Sequence, residues 1–240
     1  MDSHDRRQVE FYERTAGRYD RSVWSLGCRD NRNHETKIRA VAEAISADGG
    51  GRVLEVGAGT GLHGRWLLEH TPVEHTGLDL SEPMLRIAAG RLARFAGRSR
   101  LTIGDALDLP FPDAAFDAAF CVGTLHHLPS AEAGMRELAR VVKPGGRVAA
   151  LEPNWKFPSV LVYSAITPEE RKTFAINDRR LVAWARRAGL TEVRLQRLLY
   201  TPPKPVRWHR TFDRIDQALA RTPGLRQLSI NLLVAGRRPA

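Results

Sequence analysis

A glycine-rich turn is the clearest chemical feature of the sequence. The segment VLEVGAGTG, residues 53–61, reads as a short buried strand that runs into a turn. Glycine leaves the backbone bare, so a ligand can lie directly against it. The helix that follows points its free N–H groups and its positive end at the same place. We therefore predict that Gly57, Ala58, Gly59 and Gly61 contact a cofactor.

Two acidic residues accompany this turn and narrow the choice of cofactor. Asp79 lies 20 residues after Gly59, and a carboxylate at that distance would accept hydrogen bonds from a ribose hydroxyl pair. Residues 59–64 also satisfy the G-x-G-x-x-G pattern of dinucleotide-binding proteins. Against that alternative, the first glycine after the strand is Gly57, and Glu55 suits a ligand with an ammonium group better than one with a pyrophosphate.

A pair of histidines follows the strand predicted over residues 116–122. His126 and His127 would lie at the carboxyl edge of the sheet, where α/β folds place their chemistry. A neutral imidazole, with a reference pKa near 6.5, can take a proton from an attacking hydroxyl or amine. We predict that one of them is a general base and leave open which one. The alternative is that they only hydrogen-bond the loop and shape the pocket.

The elements that must position these residues alternate between strand and helix. Short apolar runs of strand length are separated by segments with helical spacing. The predicted strands cover residues 52–56, 75–79, 100–104, 116–122, 147–151, 191–198 and 229–235, and helices are predicted over residues 6–22, 29–46, 62–70, 83–95, 130–142, 179–188 and 208–220. This alternation predicts a parallel sheet with helices on its faces.

Five motifs in this order resemble the class I S-adenosylmethionine-dependent methyltransferases. They are VLEVGAGTG at residues 53–61, GLDLSEPML at 77–85, GDALDLPF at 104–111, FDAAFCVGTLHHL at 116–128 and ELARVVKPGGRV at 137–148. The resemblance implies an α/β, Rossmann-like, doubly wound and mostly parallel seven-stranded sheet. It also implies an antiparallel C-terminal edge strand, N-terminal lid helices, and S-adenosylmethionine as the cofactor.

The same resemblance assigns a role to each matching position along the cofactor. Glu55 and the glycine turn would hold the methionine end, and Asp79 the ribose. The residues assigned to adenine are Met84, Asp105 and Ala106. Leu80 is also expected to contact the cofactor, and either Val122 or Gly123 would lie beside the methyl group. For Met84 the alternative is plain core packing, and for Asp105 it is a turn-forming role.

Substrate contacts are expected from two further segments. Residues 11–20, FYERTAGRYD, resemble the family's lid helix, so Tyr12, Tyr19 and Trp24 could close over the site or pack as a surface helix. The segment that leaves the fifth predicted strand carries Glu152, Asn154 and Trp155, which we also expect to contact substrate. The connection over residues 154–178 is long enough to be a lid or a binding loop.

Length and composition predict a single domain over residues 1–240. Its parts are lid helices at 1–50, a cofactor-binding core at 51–152 and a substrate-side region at 153–240. The N-terminus is too polar for a signal peptide, no apolar run reaches the length of a membrane span, and two cysteines cannot form a disulfide framework. These features predict a cytoplasmic protein, and they leave its oligomeric state open.

The charge is uneven and bears on the substrate. Residues 155–240 hold 17 basic and six acidic side chains, although the net charge of the whole chain is +10. This field could steer an anionic molecule, and an arginine such as Arg171, Arg207 or Arg210 could pair with its acidic group. The alternative is an ordinary solvated basic surface.

The sequence lacks the motifs that are typical of several other methylation reactions. No Asn/Asp-Pro-Pro-aromatic or Pro-Cys motif of DNA-base methylation is present, and no acidic cluster follows the fourth predicted strand, so no metal is expected.

We expect methyl transfer to a small, acidic or biosynthetic molecule, with oxygen slightly favoured as the acceptor. The alternatives are an enzyme acting on RNA, a carrier-bound group or a peptide, and a non-catalytic cofactor-binding protein. The chain shows no RNA-binding platform of aromatic and basic residues.

Overall fold

The computed structural model describes residues 32–201 and 209–240. The helix predicted over residues 6–22 lies outside the described residues, as do Tyr12, Tyr19 and Trp24. The next predicted helix is present as α1, Arg32–Ala44. No helix within the described ranges has the length and apolar character needed to cross a bilayer.

Seven strands form one sheet in the order β3-β2-β1-β4-β5-β7-β6. The strands are β1 (Arg52–Val56), β2 (Glu74–Asp79), β3 (Ser99–Ile103), β4 (Phe116–Val122), β5 (Val142–Pro153), β6 (Thr191–Leu198) and β7 (Asn231–Arg237). Neighbours from β3 to β5 pair in parallel, and β7 pairs antiparallel with both β5 and β6. The predicted fold class is confirmed, with the antiparallel C-terminal strand lying one position inside the edge strand β6.

Helices cover both faces of this sheet. They are α1, α2 (Leu62–His70), α3 (Glu82–Leu92), α4 (Ala131–Val141), α5 (Pro158–Ile166), α6 (Asp178–Arg187) and α7 (His209–Arg221), with 3₁₀ turns at Leu125–His127 and Pro168–Ala175 among the connections. Side chains at helix starts satisfy free backbone N–H groups. Ser81 accepts from Met84 N, and Ser130 accepts from Ala133 N.

The core is divided by the alternation of side chains along the central strands. On one face, Leu54 and Val56 pack with residues of α4 and α6, such as Leu138. On the other face, Val53 packs with residues of α1 and α2, such as Leu67. Both sets are buried, so β1 and β4 are enclosed on both sides and their carboxyl ends are held firmly.

Two segments differ from the sequence-based expectation. The connection after β5 is not a plain loop, because it contains α5 and the 3₁₀ turn Pro168–Ala175. The KPGG segment at residues 143–146 lies within β5, which begins at Val142 and carries an irregularity in its pairing with β4. Here Gly146 passes so close to β4 that a Cβ would lie 2.4 Å from the Asp117 carbonyl oxygen.

Candidate active site

The glycine turn lies at the carboxyl end of β1 and is bound to the neighbouring strand. The N–H groups of Gly57 and Ala58 both donate to the carbonyl oxygen of Leu78, at 2.8 and 3.0 Å. Gly57, Gly59 and Gly61 all have positive φ, between 52° and 76°, which is the region that favours glycine. A Cβ on Gly59 would meet nothing within 4 Å, so this part of the turn is open to a ligand.

Asp79 connects the end of β2 to this turn. Its Oδ2 accepts a hydrogen bond from Gly59 N at 2.7 Å, and its Oδ1 accepts one from Ser81 N at 2.9 Å. Burial raises the pKa of Asp79, while the backbone hydrogen bonds act in the opposite direction. Each carboxylate oxygen accepts about two hydrogen bonds, so both oxygens keep capacity for ligand hydroxyls.

Glu55 occupies a different environment from the one expected. Its carboxylate has no exposed surface, with His63 Nδ1 at 3.1 Å from Oε1 and His75 Nε2 at 2.9 Å from Oε2. Burial alone would raise the pKa of Glu55, but hydrogen bonds and charge from the two histidines lower it to about 2. His34 stacks on His63 with ring centroids 5.0 Å apart. Each oxygen thus already has a protein partner, and binding of an ammonium group by Glu55 stays a prediction.

The sequence did not single out His75 and gave His63 no role. His75 lies close to Glu55 because β2 pairs with β1, and His63 lies close to it because α2 begins just after the glycine turn. Gly64 is a signal that could have indicated this crowding, because a Cβ there would lie 2.6 Å from His75 Cε1. Glycine at this helical position therefore makes room for the His75 ring.

The residues assigned to adenine and the predicted cofactor contact Leu80 include both buried and exposed positions. Met84 is 2% exposed and packs in the core, whereas Leu80 is 41% exposed. Asp105 is exposed, and its Oδ1 accepts from Leu107 N at 2.8 Å, as the turn-forming alternative requires. Ile103, which the sequence did not indicate, is 55% exposed and pairs in register with Asp79. Leu80 and Ile103 therefore add exposed apolar surface at the edge that holds Asp79.

The end of β4 brings the predicted methyl-transfer position beside the histidine turn. Val122 is half-buried, and Gly123 has a φ of 63° and donates its N–H to Leu151 O at 2.7 Å. The nearest atom to a Cβ on Gly123 would be His126 Cε1, at 3.9 Å. The backbone next to the histidines is therefore accessible to a ligand group.

Buried acids hold His126 from both sides. Glu152 Oε2 lies 2.6 Å from His126 Nδ1, and Glu170 Oε2 lies 3.2 Å from Nε2. Glu152 Oε1 accepts from the N–H groups of Thr124 and Leu125, at 3.0 and 2.8 Å. Burial alone would lower the pKa of His126, but the charges and hydrogen bonds of Glu152 and Glu170 outweigh it and raise the pKa to about 9.

This network changes how three residues are interpreted. Both ring nitrogens of His126 have carboxylate partners, so this side chain does not present a free lone pair for a general base. Glu152, expected to contact substrate, has no exposed surface and organises the histidine turn instead. Glu170 was not indicated by the sequence, because it lies 44 positions after His126 and only the fold brings the two side chains together.

The other residues expected to contact substrate lie just after β5. The Asn154 amide nitrogen donates to the carbonyl oxygens of Ser229 and Gln227, at 2.8 and 2.9 Å, and the side chain is 2% exposed. It therefore fastens this segment to the chain before β7. Trp155 is half-buried, lies edge-on to Phe174 with ring centroids 6.1 Å apart, and has a buried Nε1 without a hydrogen-bond partner among the described residues.

Comparison with known proteins identifies the region that contains the glycine turn, Asp79 and the histidine turn. Residues 53–146 match the family model described as a methyltransferase domain. These residues form a methyltransferase domain. A crystal structure of a possible histamine N-methyltransferase from Thermotoga maritima shares the fold of the methyltransferase domain and its flanking elements. It has a TM-score of 0.68 and 22% identity, covering 95% of this chain and 99% of that one.

Curated relatives of the methyltransferase domain differ in their names. A demethylmenaquinone methyltransferase of Tropheryma whipplei (strain Twist) is 38% identical over 144 residues, which is 60% of this chain and 57% of the relative. The methyltransferase GfsG of Streptomyces halstedii is 34% identical over 48% of this chain and 42% of its own length. The O-methyltransferase rstn1 of Aspergillus nomiae is 32% identical over 48% and 52%. The chain thus spans about half the length of these relatives.

Proposed function

We propose that this methyltransferase domain binds S-adenosylmethionine at the carboxyl edge of β1 and β2 and transfers its methyl group to a small molecule. The observation that carries the proposal is the contact between Asp79 and the N–H of Gly59, at 2.7 Å. It holds a carboxylate against the open part of the glycine turn, within a region that matches the methyltransferase family model. A ribose would bind the carboxylate while the methionine part lies along the turn.

The apolar surface beside Asp79 supports the position of the nucleoside base. Leu80 and Ile103 are both exposed large apolar residues at this edge. An adenine ring placed against them would remove apolar surface from water, which is favourable by about 25 cal/mol per Å². Met84, already 2% exposed, would support this surface from below.

The acceptor would then lie near Gly123 and the histidine turn. Methyl transfer from a sulfonium needs alignment of the acceptor with the methyl group more than it needs covalent help, and alignment supplies several kcal/mol of the barrier. The enclosed ends of β1 and β4 provide a rigid base for that alignment. We keep oxygen as the favoured acceptor, since one of the relatives is named an O-methyltransferase. Both ring nitrogens of His126 face carboxylates, which does not favour His126 as the general base. A general base at His127 stays a prediction.

Replacement of Asp79 tests the proposal directly. We expect Asp79→Ala to weaken the binding of S-adenosylhomocysteine by roughly 2 kcal/mol or more, because hydrogen bonds to a charged group are lost. Isothermal titration calorimetry measures this, and Asp108→Ala is the matched control because Asp108 is an exposed acid in the loop after β3. Unchanged affinity in Asp79→Ala, or heat from NAD⁺ but none from S-adenosylhomocysteine, would contradict the assignment.

A further inference from the structure

Three possible metal ligands converge where the histidine turn meets the 3₁₀ turn Pro168–Ala175. His126, His127 and Glu170 each offer one ligand atom, and all three atoms lie within 4.8 Å of one another. The side chains of His126 and Glu170 are each 2% exposed. The cluster thus joins two segments that are distant in sequence, at the edge where the acceptor is proposed to bind.

The best-defined distance in this cluster fits coordination. His126 Nε2 and Glu170 Oε2 are 3.2 Å apart. Two ligands of a tetrahedral zinc ion, each at 2.0–2.1 Å from the metal, are separated by about 3.3 Å. An ion bound by both atoms would therefore require little movement of either side chain.

Glu152 supplies the support that metal-binding histidines usually have. Its Oε2 lies 2.6 Å from His126 Nδ1, while its Oε1 is held by backbone N–H groups. A carboxylate on one imidazole nitrogen fixes the ring and directs the other nitrogen towards the metal. Here the other nitrogen is Nε2, the one directed at Glu170.

We propose that His126, His127 and Glu170 bind one divalent transition-metal ion of the zinc type, with Glu152 as the supporting acid. Two imidazoles and one carboxylate favour zinc and its neighbours over magnesium or calcium, which prefer oxygen ligands. Three protein ligands leave a coordination position for water or for an acceptor oxygen. This proposal replaces the expectation that no metal binds, and it does not depend on the proposed methyl transfer.

The alternative is that a proton on His126 holds the two glutamates together without a metal. His126 Nε2 cannot coordinate a metal ion while it holds a proton that is shared with Glu170. Coordination by His127 would likewise take the lone pair that a general base needs. A metal titration distinguishes these possibilities because it has a readout that does not involve turnover.

The experiment titrates chelator-treated protein with Zn²⁺ in competition with a chromogenic chelator. We expect one tightly bound ion per chain, and we expect Glu170→Gln and His127→Ala each to weaken binding at least tenfold. His70→Ala is the control, since it removes an imidazole on the exposed end of α2. Co²⁺ bound to the unaltered protein should show the visible absorption of a four-coordinate ion.

Two results would overturn the proposal. One is the absence of stoichiometric Zn²⁺ binding and of Co²⁺ absorption in the unaltered protein, which requires no variant to fold. The other is Zn²⁺ affinity that survives in both variants. Titration of the same samples with S-adenosylhomocysteine separates a failed metal site from a failed cofactor site.

Discussion

Glu55 links the chemistry of single residues to the stability of the methyltransferase domain. Its carboxylate faces His63 and His75, with His34 stacked behind His63. A carboxylate buried without such partners would favour its neutral form. Here the ionised form is favoured in the folded state, since the pKa is about 2 instead of the ordinary 4.5.

This arrangement predicts a specific dependence of stability on acid pH. Because the pKa of Glu55 is lower in the folded state, its ionised form contributes stability above pH 4.5, and that contribution is lost as the pH falls from 4.5 towards 2. We expect Glu55→Gln to reduce the free energy of unfolding by about 3 kcal/mol at pH 7 and by progressively less below pH 4.5.

Urea unfolding at several pH values measures this difference. Glu74→Gln is the control, because Glu74 is exposed at the start of β2. A difference between the unaltered protein and Glu55→Gln that stays constant from pH 7 to pH 3 would show that the carboxylate charge is not what stabilises this cluster.

Among the secondary-structure elements, α2 ends at carbonyl groups that accept hydrogen bonds from an arginine side chain. The Arg98 guanidinium donates to the carbonyl oxygens of Leu68, Thr71 and Val73, at 2.8, 3.1 and 3.3 Å, at the carboxyl end of α2 and the segment after it. The last carbonyl groups of a helix lack intrahelical partners, and a cation there also opposes the negative end of the helix dipole. Arg98 thereby ties α2 to the segment before β3.

We expect Arg98→Ala to destabilise the fold by about 1–3 kcal/mol, because carbonyl groups lose a charged donor. Arg94→Ala is the matched control on the same segment, since the Arg94 side chain is 60% exposed. Chemical unfolding of both variants measures the difference. Equal stability of the two variants would mean that water replaces the guanidinium at these carbonyl groups without cost.

Elements defined by local patterns could be predicted from the sequence, and the bounds of β1, α2, β4 and β6 match the structure. Each has a sharp change in hydrophobic period or a glycine at its end. The contacts around His126 and Glu55 could not be predicted, because they join residues on different strands and turns. The spacing of apolar residues indicates which face of a helix or strand is buried. It does not indicate which polar side chain of another element will contact that face, because this depends on the order of the strands in the sheet.

The segment after β5 shows a second limit of local patterns. A lid or a binding loop was predicted over residues 154–178, yet Pro158 and Pro168 each lie in the first turn of a helical element. Proline is tolerated there because the N–H it lacks would have no intrahelical partner. The same residue type therefore marks a loop or a helix start, and only tertiary packing decides between them.

For the whole molecule, the net charge of +10 and a calculated isoelectric point near 10.4 predict binding to polyanions. Part of the basic surface is neutralised within the fold, since Arg187 pairs with Glu132 and Arg197 with Asp178, at 2.8 and 2.7 Å. Arg171 is exposed. Arg207 and the side chain of Arg210 lie outside the described residues.

We expect the protein to be retained on a heparin matrix at low salt and to elute as the ionic strength rises, because salt screens exposed charges. An uncharged matrix is the control. If this attraction is nonspecific, turnover of S-adenosylmethionine with a metabolite extract should be unchanged when the extract is first treated with ribonuclease and protease. Turnover that disappears after either treatment would favour a macromolecular substrate over a small molecule.

The absence of a side chain on Gly57 has a mechanical consequence for the whole site. The space that a Cβ would fill holds Thr124, whose Oγ1 would lie 2.3 Å from it and donates to Val56 O at 3.3 Å. One hydroxyl thus joins the end of β1, on the side proposed for the methyl donor, to the turn after β4, on the side proposed for the acceptor. In the proposed methyl transfer, we therefore expect substrate to enter and product to leave by motion of other segments around the site, while the spacing of these two strand ends stays constant.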